Sequence, residues 1–467
     1  MPRKSDKTIY DCIIVGAGPA GIFAALQIVG RDEKIKVLLL EKGKSLKQRA
    51  CPSQNGKISC LQCQPCNIMA GWGGAGAFSD GKLNLGKQMG GWLNQYLSQK
   101  TYEKYLAKTD GLWLKFGAPE KLYGVNGQTE KLKNKFEKAG FRTIIGPTRH
   151  LGTEGSVKVL QNMHDFLQDK IEIKFNAEVA KIKVEKKQAV GVIMRNGEEI
   201  AAKKIIAAPG REGCNWFFHQ AHDLGLKMTN HPVMLGVRVE TKASVMKHLT
   251  DYLYEAKLFY RAPTFEDEVR TFCMCPNGEV VQEQYSGFKG IISVNGHAYT
   301  DKKTKNTNFA LLVTTDFTEP FHEPIVYGEN ITRLANLLGK TVIVQRLGDL
   351  LAGRRSTPAR IKKGKIRPTL TTATPGDLSA VLPYRHMTNI LEMIKQMDKV
   401  APGIFSFDTL LYGVEVKFYS SAPKLNKNLE TEIKNLYAVG DGAGVTRNLT
   451  HACISGMIAG KAVCSAI

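Results

Sequence analysis

The sequence predicts an α/β fold: a three-layer domain on a parallel sheet with a β-meander, into which a mixed and largely β second domain is inserted. Three observations predict it. Residues Tyr10 to Glu41 read as a buried strand, a glycine-rich turn, an apolar helix and a second buried strand closed by an acid, the order of a βαβ unit. Two further apolar strands that run into glycine turns, Lys204 to Gly210 and Asn435 to Gly442, lie far apart in the chain. Between them, from about residue 215 to 430, alternating strands such as Met234 to Glu240 and Phe309 to Thr314 dominate, and no glycine triplet follows any of them.

The first turn is Gly16-Ala17-Gly18-Pro19-Ala20-Gly21. Gly16 permits the tight turn, Gly18 lets the backbone approach a pyrophosphate, and Gly21 lets the helix sit close to the sheet. The phosphates then meet unpaired N–H groups at the positive end of the helix dipole. Glu41, followed by Lys42, lies about twenty residues beyond the last glycine, where an acid accepts hydrogen bonds from a ribose. The unit is therefore Rossmann-like and binds a dinucleotide; the turn alone leaves FAD and NAD(P) both open.

The segment from Gly71 to Lys82 holds Gly73, Gly74, Gly76 and Ser79 beside Trp72 and Phe78. So many glycines among aromatics allow a backbone to approach a flat ligand. Residues 91 to 142 are amphipathic and Lys-rich, as expected of a helical cover. A helix from Ser156 to Leu167 leads to a strand at Ile171 to Phe175. A meander follows from Val179 to Val184 and Ala189 to Met194, with a hairpin turn at Asn196-Gly197 before Glu199 to Ala202. It ends in the buried strand that runs into Ala207-Ala208-Pro209-Gly210. Helices are expected near Asn330 to Leu338 and Asn389 to Lys399. The expected organisation is a dinucleotide domain in three parts, 1–90, 151–214 and 431–467. A helical cover occupies 91–150 and a substrate domain 215–430.

Near the end, Gly440-Asp441-Gly442 follows an apolar strand and precedes a small-residue helix from Ala452 to Ala462. An Asp at that strand tip is placed to hold a ribityl hydroxyl, with the helix N-terminus facing a pyrophosphate or flavin carbonyl. Taken together, Gly16-x-Gly18-x-x-Gly21, Glu41, Ala207 to Gly210 and Gly440 to Gly442 resemble the FAD-binding signatures of the glutathione reductase-like flavoproteins. More narrowly, the regions Cys51 to Lys82, Arg270 to Gly278 and Gly440 to Gly444 look like the uncharacterised FAD-dependent dehydrogenases of bacteria and plastids. The resemblance implies FAD as the resident cofactor, with Val179 and Ala208 beside it, and redox chemistry with no assigned substrate. The chain departs from the disulfide reductases: it has neither a second glycine triplet nor a C-x4-C pair. NAD(P)H would then bind only as a transient reductant.

Ten cysteines are present, four of them in one loop. Cys60, Cys63 and Cys66 follow C-x2-C-x2-C spacing, and Cys51 precedes them. They could ligate an iron–sulfur cluster or zinc, form a redox disulfide, or be inert packed thiols. Cys273 and Cys275 form a C-x-C pair on a strand, where alternation puts both on one face; packing, ligation and a flavin-side thiol are the alternatives. For acid–base work the candidates are His451, at the start of the last helix, and Glu415 with Lys417. His451 can titrate near neutrality; all three have structural readings as well.

The formal charge of +22 comes from 65 basic and 43 acidic residues, and the segment from Arg354 to Arg367 is the densest in basic residues. This excess either favours anionic partners, a small anionic substrate or a nucleic acid, or reflects a basic proteome. The leading expectation is an FAD-dependent oxidoreductase exchanging a hydride with a small molecule. The alternatives are a flavin-dependent RNA-binding or RNA-modifying protein and a non-catalytic redox-sensing FAD and metal protein. No apolar run reaches membrane-spanning length, and Met1 to Lys7 lacks a signal-peptide pattern, so cytoplasmic residence is expected.

Overall fold

The strand Tyr10–Val15 ends in the apolar run Cys12-Ile13-Ile14-Val15, and those four side chains are buried. A strand with both faces covered needs that composition. It lies between Val37–Leu40 and Glu199–Ala207, parallel to both, with Ile14 opposite Leu39 on one side and Ile206 on the other. The order across the sheet is Glu172–Lys174, Val37–Leu40, Tyr10–Val15, Glu199–Ala207, Gln188–Met194 and Val179–Glu185, and Leu436–Ala438 also joins Glu199–Ala207. One long strand can serve three neighbours because its two halves pair differently. Glu199 to Ala201 pair antiparallel with the meander, while Ile205 to Ala207 pair in parallel with both Tyr10–Val15 and Leu436–Ala438. The computed structural model describes residues 8–53, 58, 60–86, 91–285, 290–299, 301–315, 317–318, 321, 323–417 and 421–467.

Pro19 opens the helix Pro19–Val29, where its missing N–H costs nothing. That helix packs on Leu449–Ser465, the last helix of the chain. The contact is close because a Cβ on Gly456 would lie 1.9 Å from the Ala20 carbonyl oxygen. Small residues in the last helix therefore serve packing against the first.

The second sheet has eight strands in the order Thr374–Pro375, Ile343–Arg346, Leu410–Lys417, Val233–Lys242, Asn306–Thr315, Glu268–Cys275, Lys257–Arg261 and Arg142–Ile144. Its pairings are antiparallel except at the Thr374–Pro375 edge. The central strand Val233–Lys242 is buried at nine of ten positions. Helices Pro324–Gly339 and Tyr384–Met397 appear where apolar periodicity places them.

The stretch read as a purely helical cover contains the helices Gln99–Lys115 and Gly127–Lys138, capped by Ser98 and Asn126. It also supplies Arg142–Ile144 to the second sheet, and its Thr148–His150 pairs with Lys82–Asn84. Three-residue strands are too short to show a period, so they were not legible beforehand. No described helix is long and apolar enough to cross a membrane. Residues 1–7, on which the reading of no signal peptide rests, lie outside the described residues.

Candidate active site

A cleft of about 990 Å³ opens at the carboxyl ends of the parallel strands, where open α/β sheets place their ligands. Its walls are the residues that follow those strands: Gly16, Gly18, Pro19 and Ala20; Glu41 and Lys42; Ala208 and Gly210; Gly440 and Asp441. Gly74, Gly76 and Val179 line it as well. The three turn glycines have different reasons to be there. A Cβ on Gly21 would stand 1.9 Å from the Gly16 carbonyl oxygen, so Gly21 is required by the fold. Gly18 has ordinary extended dihedrals, φ −75 and ψ 179, and a Cβ there would meet no atom within 4 Å. The space over Gly18 belongs to the cleft.

Gly21, Gly73 and Gly442 do not line the cleft. Gly442 lets the Gly210 backbone pass, since its Cβ would be 1.9 Å from the Gly210 oxygen. Glu41 does line it, yet its carboxylate is occupied by the chain itself. Oε2 accepts from the Ala17 amide at 2.8 Å, and Oε1 from Gly43 at 2.8 Å and Gly71 at 2.9 Å. It clamps the glycine turn to the Gly71 segment, with lone-pair capacity left for a ribose. The Lys42 ammonium lies 3.2 Å from Glu212.

Arg49, which the sequence did not single out, fixes that Gly71 segment. Its guanidinium donates to the carbonyls of Asn67 at 2.8 Å, Ile68 at 2.6 Å, Trp72 at 2.6 Å and Gly74 at 2.9 Å. It also stacks over Phe78 at 4.7 Å.

A second cavity, of about 1050 Å³, continues from the first: Arg211, Asp441, Asn448 and Leu449 line both. Among the described residues Lys82, Lys257, Lys417, Arg211, Arg270 and Arg447 line it, against the carboxylates Asp80, Glu255 and Asp441. Six cations facing three acids make it an anion-attracting chamber. Arg270 and Arg447 each direct a guanidinium nitrogen to the Met234 sulfur at 2.9 Å. Arg270 also lies over Phe272 at 4.9 Å and Arg447 over Trp92 at 3.9 Å, so both heads are held in place. Asp441 accepts the Thr446 hydroxyl at 2.6 Å, and burial pushes its carboxyl pKa up. Ser79, expected at the cofactor, lines this second cavity.

Of the acid–base candidates, Lys417 reaches the basic cavity, and its ammonium lies 2.9 Å from Glu415. Glu415 is wholly buried behind it and lies 3.1 Å from Arg238, so it positions Lys417 and does not face the cavity. His451 lines neither cavity, and its Nε2 pairs with the Tyr102 hydroxyl at 2.8 Å. Asn448 caps the last helix through the His451 amide at 2.8 Å, which sets the helix phase and turns the imidazole onto Tyr102.

The four-cysteine ligand set is not assembled. Among the described residues no three of Cys51, Cys60, Cys63 and Cys66 bring their sulfurs within 4.8 Å of one another, and Cys60, Cys63 and Cys66 are free thiols. The Cys60 sulfur instead lies 3.6 Å from the Gln284 side chain. Residues 54–57 and 59 of that loop lie outside the described residues. The group that does converge is Asp80, Cys273 and Cys275, with ligand atoms mutually within 4.8 Å. From the basic segment, Arg354 at 3.0 Å and Arg360 at 3.8 Å lie against Asp349, so part of that charge is locally neutralised.

Residues 232–418 match the family model described as FAD-dependent protein, C-terminal domain-like. The match covers every strand of the second sheet but Arg142–Ile144 and excludes the glycine turn, so it supports FAD independently of the cleft. An uncharacterised protein of Clostridium beijerinckii is 26% identical over 476 residues, covering 95% of this chain and 79% of that one. Among solved structures, a variant of E. coli quinol fumarate reductase FrdA is 14% identical, with a TM-score of 0.42 over 98% of this chain and 70% of that one. Glycine oxidase from Bacillus cereus is 14% identical, with a TM-score of 0.40 and coverages of 98% and 96%. A 3-ketosteroid dehydrogenase from Rhodococcus jostii is 11% identical, with a TM-score of 0.42 and coverages of 99% and 98%. At these values no function is carried over from the solved structures.

Proposed function

We propose that this protein is an FAD-dependent oxidoreductase that acts on a small anionic substrate held in the basic cavity. The observation that carries this reading is the wall shared by the two cavities, Arg211, Asp441, Asn448 and Leu449. It makes the far end of a dinucleotide the near end of the substrate chamber.

The residues fit the cofactor. The open space over Gly18 and the N-terminus of Pro19–Val29 would take the pyrophosphate. Asp441, at the junction, would accept a ribityl hydroxyl, and the Gly74 to Gly76 backbone would lie along the cleft wall. When bound, the flavin supplies two-electron chemistry, exchanging a hydride with substrate. The chain's own contribution is binding, orientation and proton supply. Arg270, Arg447 and Lys257 would hold a substrate carboxylate or phosphate, the guanidinium pair being suited to planar anions. The Lys417 ammonium, held by Glu415, is the proton source that faces the chamber. NAD(P)H would serve as a transient reductant.

The test is anaerobic reoxidation of the photoreduced, FAD-loaded protein by unsaturated carboxylates and their neutral esters. The acids should reoxidise it faster, and R270Q with R447Q should remove the difference. Esters that react as fast as the acids would refute the anionic substrate. A flavin that no acceptor in either set reoxidises would count against the enzyme reading.

A further inference from the structure

Cys273 and Cys275 sit where the second sheet meets the basic cavity. The strand Glu268–Cys275 pairs regularly with Asn306–Thr315 up to Phe272, and the register then shifts before Cys275. At that bulge Cys273 adopts φ +48, a left-handed conformation few non-glycine residues take. Backbone held this way collects at functional sites. Cys273 lines the cavity and is partly exposed, whereas Cys275 is fully buried behind it.

The surroundings favour a thiolate over a metal. The Arg238 guanidinium lies 3.4 Å from the Cys275 sulfur and donates to the Cys273 carbonyl at 2.6 Å. The Lys82 ammonium is 3.0 Å from Asp80. A divalent ion among Asp80, Cys273 and Cys275 would meet two fixed positive charges. A thiolate there is stabilised by the same charges. Hydrogen bonding from Cys275, aided by Lys82 and Arg238, lowers the Cys273 pKa, while burial raises that of Cys275.

We infer that Cys273 and Cys275 form a dithiol that undergoes reversible disulfide exchange at the cavity wall, Cys273 attacking and Cys275 resolving. The oxidant is a low-molecular-weight disulfide, R–S–S–R. The Cys273 thiolate attacks one of its sulfurs and one R–S⁻ leaves. Cys275 then loses its proton and attacks the Cys273 sulfur of the mixed disulfide, expelling the second R–S⁻. The pair gives up two electrons and, counting the one Cys273 released on ionising, two protons. These convert the two leaving groups to R–SH. The sulfurs start within 4.8 Å, and closing to about 2 Å needs side-chain rotation. This step stands on the chain's own thiols, and only the further passage of electrons to a flavin rests on the function proposed above.

The test exposes the purified protein to oxidised glutathione, alkylates it with iodoacetamide and weighs the peptide that holds both cysteines. The wild-type peptide should come out unalkylated and lighter by two hydrogens. C275S should carry one glutathione on Cys273, and C273S should carry none on Cys275. Full alkylation of both cysteines in the wild type would overturn the inference, as would equal glutathione uptake by C273S. Thermal unfolding checks that each variant is folded. Flavin content measured in the same samples separates failure of this inference from failure of the flavin reading, because the thiol result needs no flavin.

Discussion

Arg238 and Glu415 form an ion pair at 3.1 Å with neither side chain exposed to solvent, and Lys417 lies on the same carboxylate at 2.9 Å. One carboxylate therefore anchors two cations, one turned to the cysteine pair and the other to the basic cavity. Glu415→Gln keeps the shape and removes the charge. It should destabilise the protein by roughly 3–5 kcal/mol, the cost of leaving buried charge uncompensated, as read by urea unfolding. A change under about 1 kcal/mol would show that the pair does not hold the strands together.

Gly18 and Gly21 should separate cofactor binding from folding. A Cβ on Gly18 meets no atom within 4 Å, so Gly18→Val begins its side chain in open space and keeps permitted dihedrals. It should leave the stability of the cofactor-free chain within about 0.5 kcal/mol while abolishing flavin retention. Gly21→Ala puts a methyl 1.9 Å from a carbonyl oxygen and should cost about 1–3 kcal/mol or more. Loss of folding in G18V would show that the space over Gly18 is not reserved for a ligand.

His451 is expected to be structural. His451→Gln should leave turnover within about threefold and cost about 1 kcal/mol through the Tyr102 hydrogen bond. A fall in turnover of about a hundredfold with unchanged stability would restore the residue to the chemistry.

The buried His386 makes folding depend on pH. Burial lowers its pKa from 6.5 to about 4, against the opposing pull of Asp267, and its Nε2 pairs with the Thr315 hydroxyl at 3.0 Å. The folded pKa is below the unfolded one, so the unfolded chain takes up this proton first as pH falls. The stabilisation is complete above about pH 6.5 and is lost towards pH 4, and it amounts to roughly 3 kcal/mol. His386→Gln should flatten the stability profile in that window by about one proton. An unchanged slope would place the titration elsewhere.

The cleft was legible because its signals are local. The turn from Gly16 to Gly21 and the Gly440 to Gly442 tip each follow a short apolar strand and fix their own backbones. The basic cavity was not, since Lys257, Arg270 and Lys417 come from three strands that the pairing of the second sheet brings together, while Lys82 and Arg447 reach the cavity from outside that sheet. In the cysteine loop the spacing did not show where the side chains go, and Cys60 lies against Gln284. For His451 the position at a helix start was right and the direction was not, because a helix rotates about 100° per residue and Asn448 sets where that rotation begins. Arg49 gave no signal beforehand, since a buried arginine on four carbonyls has no sequence pattern.

The most direct measurement of the central claim is the absorption spectrum of the purified protein, with the released cofactor identified by mass. The expected result is the two-band spectrum of oxidised flavin, bleached by dithionite, with one FAD per chain and none on the G18V variant. A protein that stays colourless after incubation with FAD, or retains a nicotinamide dinucleotide instead, would contradict it.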